Sequence, residues 1–299
     1  MKLSKQQNQT KNYFEKVSNQ WHAKANLKSN KILNIINQRN KYVIEIACNF
    51  LPKNAKILDV GCGTGELVID LSKIGYDSQG IDFSKAMIKK ARDQATKNKI
   101  QKEIFICESF FDYKFNKKFD MISANGFIEY ISEKELEKFL IKSYELLSKN
   151  GILIINSRNR LFNVFSFNKF TEDEIKEKNI ISLIEECIYF NSGRNLKEIL
   201  NTRKKSKIKT NLKKHSKTGI NVDTRFQYTP FQLIEKLEKR SFKPFNISPI
   251  HIHVFTTGSR EIYPDLHNEF SNYIQIQKNE NIAFIPQSSS FMISAKKNE

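Results

Sequence analysis

The sequence lacks the long apolar runs and cysteine patterns that mark several classes of protein. It contains no stretch of about 18 apolar residues, the length that a membrane-spanning helix needs. The first ten residues, MKLSKQQNQT, are polar and include no apolar signal-peptide core. The four cysteines, Cys48, Cys62, Cys107 and Cys187, form no CxxC pair and no Cys/His ligand spacing. We therefore expect a soluble, cytoplasmic protein with reduced thiols and no metal site.

Glycine is also scarce, and its distribution is uneven. The 299 residues include only 10 glycines, of which Gly61, Gly63 and Gly65 fall within the segment ILDVGCGTGELVID. The apolar content of 39% is enough for one large core, or for one domain with an insertion. The clustered glycines indicate that a ligand or another part of the backbone approaches the chain closely there.

Lysine and arginine outnumber aspartate and glutamate, which gives the chain a formal charge of +18. Much of the lysine lies beside glutamate on the polar faces of predicted helices. The segment NTRKKSKIKTNLKKHSKTG, which starts at Asn201, differs because it has eight Lys or Arg residues and no acid. A solvated loop is the favoured interpretation, and a site for an anionic partner such as RNA is the alternative.

Short apolar segments alternate with amphipathic ones after residue 50. The strand-like segments are KILDV, SQGID, EIFIC, FDMISA, GILIINS, FNISPIHIHVF and SSFMISAKK. This alternation predicts an α/β fold with a Rossmann-like, doubly wound parallel sheet. Residues 161–228 interrupt it with aromatic and basic helical stretches. We predict an N-terminal helical cap (1–50), a cofactor-binding core (51–160), an inserted lid or substrate region (161–228) and the rest of the core sheet (229–299).

The glycine-rich turn follows a strand and precedes a helix, where backbone N–H groups can meet the negative end of a ligand. Its G-x-G-x-G spacing puts Glu66 where a dinucleotide fingerprint has its third glycine, and Asp59 lies two residues before Gly61. A carboxylate there would repel a pyrophosphate but suits a sulfonium cation. Asp82, which ends the next strand, can accept hydrogen bonds from both ribose hydroxyls. The residues thus indicate S-adenosylmethionine rather than NAD.

Four segments then carry a resemblance to a known family. ILDVGCGTG, GIDFSKAMIKKAR, FDMISANGFIEYI and LLSKNGILIINSRNR resemble the class I S-adenosylmethionine-dependent methyltransferases across residues 45–160. YFEKVSNQW, RNKYV, TPFQLIEKLEKRSF and IHIHVF are similar to the ubiquinone-biosynthesis O-methyltransferase branch. The resemblance implies a seven-stranded sheet whose last strand, near residues 291–295, runs antiparallel to the others.

The same resemblance implies a set of cofactor contacts. It places the methionine end of the cofactor against the glycine-rich turn, the ribose on Asp82, and the adenine between Phe83 and Met87. The family's acidic adenine partner is absent, because Ser109 occupies its position and Glu108 comes one residue early. The implied cofactor-binding residues are Arg39, Asp59, Gly61, Cys62, Gly63, Asp82, Phe83, Met87, Ser109, Phe110 and Asn125. For Met87, packing in the core is at least an equal alternative, and for Tyr13 and Trp21 a buried N-terminal helix stripe is the favoured interpretation.

Methyl transfer from a sulfonium is an in-line displacement, so the protein mainly aligns the nucleophile with the methyl group. A hydroxyl acceptor would gain from a nearby base. The candidates are His251 and His253, which alternate with isoleucines and leave one face of a strand, and Glu129, which follows the fourth strand. The two histidines could equally have a structural role, or hold a metal with a third ligand that the sequence does not reveal.

Three functions are consistent with these observations. The leading hypothesis is an enzyme that methylates a small molecule, at oxygen. The alternative is an RNA-directed methyltransferase that uses residues 203–217. The third is a binding protein that keeps the fold without catalysis, against which the intact glycine-rich turn and Asp82 argue.

Overall fold

The structure is a computed structural model with a mostly parallel sheet at its centre and helices on both faces. It describes residues 4–26, 34–192, 195–206, 208, 226–277 and 281–298. The strands are β1 (Lys56–Val60), β2 (Asp77–Asp82), β3 (Phe105–Cys107), β4 (Phe119–Ala124), β5 (Leu147–Asn159), β6 (Gln227–Tyr228), β7 (Phe242–Ile252) and β8 (Ser288–Lys297). None of the helices in these ranges is both long and apolar enough to cross a membrane.

The sheet has the strand order β3-β2-β1-β4-β5-β8-β7. Strand β8 runs antiparallel to both of its neighbours, β5 and β7, whereas β1 to β5 pair in parallel. The predictions of a Rossmann-like α/β fold and of an antiparallel last strand are therefore confirmed. The structure adds an eighth strand, β6, whose two residues pair with the end of β5.

Helices cover the sheet, and several of them begin at recognisable capping residues. They are α1 (Lys5–Ala25), α2 (Ile35–Phe50), α3 (Glu66–Lys73), α4 (Lys85–Lys97), α5 (Glu133–Leu146), α6 (Lys169–Lys176), α7 (Ile180–Asn191), α8 (Leu196–Thr202), α9 (Pro230–Glu238), α10 (Thr257–Ile262) and α11 (Pro264–Gln277). Ser132 and Glu135 form a capping box at the start of α5, as Thr229 and Gln232 do at α9, which has proline at its first position.

Alternate residues of the central strands point to opposite faces of the sheet and enter two different cores. In β5, Leu153 and Ile155 join the core beneath α5, α7 and α9, while Ile152 and Ile154 join the core beneath α2 and α3. All four side chains are almost completely buried. Both faces of β5 are therefore covered, as a parallel sheet requires.

The region between β5 and α9 contains α6, α7 and α8, where the sequence predicts an inserted helical region. The stretch EDEIKEKNIISLIEECIYF divides into two helices, because Lys178 adopts a left-handed φ of 59° between them. The buried Arg160 guanidinium donates to both oxygens of buried Glu174, at 2.7 and 2.8 Å. This bidentate pair ties α6 to the end of β5. Most of the basic segment, residue 207 and residues 209–219, lies outside the described residues.

Candidate active site

The glycine-rich turn joins β1 to α3 at the centre of the sheet. Gly63 has a left-handed φ of 54°, and the space beside its Cα is open as far as Trp21 Nε1, 3.7 Å from where a Cβ would lie. Gly65, which begins α3, has a φ of 87°, and a Cβ there would come within 2.7 Å of Phe105. The turn therefore needs glycine for its backbone conformation at both positions and for close packing at Gly65.

Asp82 connects this turn to the next one. Its Oδ2 accepts a hydrogen bond from Gly63 N at 3.1 Å, and its Oδ1 accepts one from Ser84 N at 2.8 Å. Burial raises the pKa of Asp82 to about 6, although the hydrogen bonds from Ser84 and Gly63 oppose that increase. Asp82 lies at the wall of a cavity, so its carboxylate borders the space that a ligand would fill.

Asp59 and Cys62 lie behind the turn. Asp59 is buried, and its Oδ1 accepts a hydrogen bond from Ser123 Oγ at 2.6 Å. Burial raises the pKa of Asp59 to about 7, and the negative charges of Asp82 and Glu66 add to that increase. Cys62 packs in an apolar core with Phe105, and burial raises the pKa of its thiol. Neither side chain lines the cavity, so the predicted cofactor contacts of Asp59 and Cys62 are not direct side-chain contacts in this arrangement.

The cavity lies at the carboxyl ends of β1, β2 and β4, where neighbouring strands connect in opposite directions. Such a crevice is the usual ligand site of an open α/β sheet. The cavity has about 760 Å³ of empty space, its open mouth included. It is lined by Gln7, Thr10, Phe14, Trp21, Val60, Gly61, Gly63, Ile81, Asp82, Phe83, Met87, Glu108, Ser109, Phe110, Phe111, Asn125, Gly126, Phe127, Tyr130 and Ile131. Apolar and aromatic side chains dominate the lining, with a few polar groups among them.

Most of the cofactor-binding residues that the sequence predicts lie together at this cavity. They are Gly61, Gly63, Asp82, Phe83, Met87, Ser109, Phe110 and Asn125. Glu108 also lines it, one position before Ser109, whose backbone N–H donates to Glu108 Oε1 at 3.3 Å. The structure therefore places an acidic side chain after the third strand at the cavity wall, one position earlier than the family pattern has it. The contacts of all these residues with a cofactor remain predictions.

Helix α1 forms the roof of the cavity, within the region where the sequence predicts an N-terminal helical cap. Gln7, Thr10, Phe14 and Trp21 contribute to the lining. Phe14 makes edge-to-face contacts with Trp21 and Tyr130, with ring centroids 5.5 and 5.4 Å apart. The aromatic spacing in the sequence predicted a buried helix stripe. The cavity beneath it follows only from the packing of α1 on the sheet.

Arg39 lies behind the β4 turn rather than at the cavity wall. Its Nη1 is 2.9 Å from the position of a Cβ built on Gly126, and its Nη2 is 3.4 Å from Ser290 Oγ. The buried Asn156 amide links the same elements, because it donates to Ser290 Oγ at 2.6 Å and accepts from Gly126 N at 3.2 Å. Asn156 was not singled out from the sequence. It holds the Gly126 backbone beside the cavity in place.

The three candidate bases do not line the cavity. Glu129 is buried in a short turn, with its carbonyl accepting from Phe226 N at 2.9 Å. The rings of His251 and His253 have centroids 4.2 Å apart, although β7 ends between them at Ile252. His251 adopts a left-handed φ of 60°, so its N–H leaves the strand ladder and donates to Gln38 Oε1. The catalytic roles of these residues remain predictions.

Burial keeps this histidine pair neutral. It lowers the pKa of His251 to about 3 and also lowers that of His253. His251 Nδ1 lies 2.8 Å from Ser289 Oγ, and Arg260 Nη1 lies 3.2 Å from His253 Nδ1. His267 of α11 completes the group, 5.3 Å from His253 between ring centroids. Within the described ranges, no cluster of three or more His, Cys, Asp or Glu residues has the geometry of a metal site.

Comparisons with known proteins agree with this geometry. A methyltransferase domain family matches residues 51–215, more than half of the chain. The ubiquinone biosynthesis O-methyltransferase of Pelagibacter ubique is 35% identical over 115 residues, which are 38% of this chain and 47% of that protein. The carboxy-S-adenosyl-L-methionine synthase of Nautilia profundicola is 35% identical over 117 residues, 38% of this chain and 49% of that one. The chain thus spans about half the length of these curated relatives.

A solved structure supports the fold over nearly the whole chain. Magnesium protoporphyrin IX methyltransferase from Synechocystis PCC 6803, crystallised with S-adenosylhomocysteine, has a TM-score of 0.56 and 12% identity, covering 98% of this chain and 100% of its own. At that identity the likeness concerns the fold alone. Together with the family match and the glycine-rich turn beside Asp82, it leads to one assignment. The chain belongs to the class I S-adenosylmethionine-dependent methyltransferases.

Proposed function

We propose that this protein transfers the methyl group of S-adenosylmethionine to a hydroxyl oxygen of a small aromatic molecule. The observation that carries the proposal is the cavity itself, which has aromatic walls and lies under helix α1. Aromatic rings favour other rings by stacking and by edge-to-face contact. A roof formed by a helix suits an acceptor that the site can enclose, with water excluded from the reacting atoms.

Polar atoms without partners support a ligand in this cavity. The amide nitrogen and oxygen of Asn125 are buried and make no hydrogen bond with the described residues, and the same is true of Thr10 Oγ1. Burying such groups unpaired is costly, so a ligand that pairs with them gains affinity. Asn125 follows β4 and Thr10 lies in the roof, which places one such group on each side of the cavity.

S-adenosylmethionine supplies an electrophilic methyl group when bound. We assign its ribose to Asp82 and its cationic end to the turn in front of Asp59, whose ionised form the sulfonium would favour. Asn125 and Gly126 then border the acceptor, and Asn156 fixes the Gly126 backbone. These residues orient the acceptor oxygen in line with the methyl group, and α1 limits the access of water.

Oxygen is the preferred target because the Pelagibacter relative is named an O-methyltransferase. A phenolic hydroxyl also suits the site on chemical grounds. Its pKa, about 10 for tyrosine, is far below that of an alcohol, so its proton is removed with less help from a base. Glu129, His251 and His253 stay the candidate bases should the acceptor need one.

The test is to incubate the purified protein with S-adenosylmethionine labelled in its methyl group and with extracts or a panel of phenols, and to identify the labelled product by mass spectrometry. We expect label in an aromatic methyl ether. Label in RNA instead would establish the alternative, in which residues 203–217 bind the substrate. A chemically altered cofactor with no methylated acceptor would contradict both.

A substitution of Phe127 tests acceptor binding separately from folding. Phe127 lines the cavity next to Gly126, and its ring packs against Phe139 at 5.4 Å between centroids. Phe127→Leu keeps an apolar side chain but removes the ring, so we expect a higher KM for the acceptor with unchanged cofactor affinity. Phe50→Leu, at an exposed position on α2, is the matched control and should change neither value.

A further inference from the structure

Helix α11 has its polar side turned towards the protein and its apolar side turned towards solvent. His267, Ser271 and Gln275 recur every four residues and face β7, with exposed fractions of 0%, 0% and 6%. Leu266, Phe270, Tyr273 and Ile276 recur every three or four residues on the other side and are 56%, 47%, 62% and 67% exposed. Surface helices normally show the opposite arrangement.

The inner face of α11 gains little from its burial. The ring nitrogens of His267 and the hydroxyl of Ser271 are buried without a hydrogen-bond partner among the described residues. Only Gln275 is well paired, since its amide donates to Pro249 O at 2.9 Å and its oxygen lies 3.4 Å from Ile252 N. Unpaired buried polar groups destabilise the contact between helix and sheet. Covering the outer face would therefore add stabilisation that the inner face does not supply.

The outer face is large enough for a specific interface. The stripe continues towards the N-terminus into Ile262 and Tyr263, which are 69% and 60% exposed. A fully buried aromatic side chain removes roughly 150–250 Å² of surface from contact with water. The six side chains of the stripe, half to two-thirds exposed, present several hundred Å², of the order of the ~800 Å² per partner in a stable dimer. Monomeric proteins rarely leave so large an apolar patch uncovered.

The charges around the stripe indicate what covers it. Glu261, Asp265 and Glu269 are exposed beside it, and Arg260 is the one Lys or Arg in residues 257–277. An acidic border disfavours an anionic membrane surface or a nucleic acid, both of which attract basic segments. A second copy of this chain carries a formal charge of +18 and the same apolar stripe. The carboxylates lie at the exposed border of the stripe, where solvent and salt screen their repulsion from the same carboxylates of a second copy, so the apolar area decides the contact.

We propose that α11 is the interface of a homodimer, in which the stripe formed by Ile262, Tyr263, Leu266, Phe270, Tyr273 and Ile276 packs against the same stripe of a second copy. A twofold axis makes such a contact self-complementary, so that one patch serves both partners. The apolar side chains leave water on both copies at once, and the polar inner face of α11 stays on its own sheet. This interface is independent of the reaction at the cavity.

The test is sedimentation velocity ultracentrifugation of the full chain over a range of concentrations. We expect a dimer for the natural sequence. Leu266→Ser and Phe270→Ser should each raise the dimer Kd by about 30-fold or more, since a central apolar anchor contributes about 2 kcal/mol or more to an interface. Because both side chains are half exposed in the single chain, circular dichroism melts should show that the variants remain folded.

Ile175→Ser provides a matched control, because Ile175 on α6 is 56% exposed, like Leu266. This variant should leave the Kd within about threefold of the natural value. A natural protein that stays monomeric at about 100 µM, or a dimer that survives both α11 substitutions, would overturn the proposal. So would co-sedimentation with vesicles containing one-third anionic phospholipid if Leu266→Ser abolished it, since that result would make a bilayer the occupant of the stripe.

Discussion

Asp82 is the residue on which the cofactor assignment depends most. Its carboxylate is already bonded to the backbone of both turns that border the cavity, through Gly63 N and Ser84 N. These two bonds fix its orientation before a ligand arrives, so little entropy would be lost if ribose hydroxyls bound to it as we propose. A charged acceptor in this position is worth more than a neutral one.

Asp82→Ala should weaken binding of S-adenosylmethionine by about 1–3 kcal/mol, because hydrogen bonds to a charged acceptor are lost. The pKa of about 6 for Asp82 adds a pH dependence. The ionised form accepts hydrogen bonds from the hydroxyls, so the difference in affinity between the natural protein and Asp82→Ala should be full above that pKa and shrink as the pH drops through about 6, while a fall shared by both proteins near pH 7 would come from Asp59. Isothermal titration calorimetry between pH 5 and 8 measures both effects in buffers of equal ionic strength.

Asp77 offers the control for that experiment, since it begins the same strand at the opposite edge of the sheet. Its carboxylate is exposed and pairs with Lys117 at 3.2 Å. Asp77→Ala should therefore bind the cofactor normally with the natural pH dependence. An Asp82→Ala protein that is folded and keeps full affinity would remove Asp82 from the site.

At the scale of elements, helix α1 is held over the cavity by a few polar contacts. The carboxylate of Glu15 accepts hydrogen bonds from Lys85 N at 2.7 Å and Ala86 N at 3.0 Å. These are the first two N–H groups of α4, which lack partners within that helix. Further along α1, His22 Nδ1 lies 3.1 Å from Glu66 Oε1 at the start of α3. Contacts with the first residues of α4 and α3 thus hold α1 over the cavity.

Glu15→Gln should loosen this roof, because a neutral amide interacts more weakly with the N-terminus of α4 by about 0.5–2 kcal/mol. Trp21 is the single tryptophan of the chain and lines the cavity, so its fluorescence reports on α1 alone. We expect stronger quenching by acrylamide in the variant and a smaller difference once the cofactor is added. Glu172→Gln, which affects an exposed pair with Lys176 on α6, should match the natural protein. Equal quenching in all three proteins would contradict the assigned role of Glu15.

The sequence predicts the sheet better than it predicts the roof. The apolar periodicity of the strands and the position of Asp82 at a strand end can both be read from neighbouring residues in the sequence. Together they are enough to locate the crevice at the carboxyl ends of neighbouring strands. Thr10 and Gln7 carry no local signal, because their places in the cavity result from packing between α1 and a sheet that begins 46 residues later than Thr10. The positive φ of His251 is equally invisible, since it arises from the irregular end of β7.

Considered as a whole molecule, the charge of +18 is the property that the cavity does not explain. Within the described part of the basic segment, Lys204 and Lys205 are exposed, while Arg203 pairs with Glu238. The segment has no Phe, Tyr or Trp, so it offers little surface on which bases can stack. These observations favour a small acceptor over RNA, although the net charge alone will attract any polyanion.

Replacing Lys204, Lys205, Lys213 and Lys214 with glutamine should therefore leave cofactor affinity and methyl transfer unchanged. RNA binding should weaken only as much as in a control with the same loss of charge at exposed positions elsewhere, Lys41, Lys73, Lys97 and Lys138. A dedicated RNA site predicts something different, because each phosphate contact contributes roughly 0.7–0.9 to the slope of log K against log salt concentration. A slope that drops by several units in the first variant but not in the control, together with methylated RNA, would show that the basic segment binds the substrate.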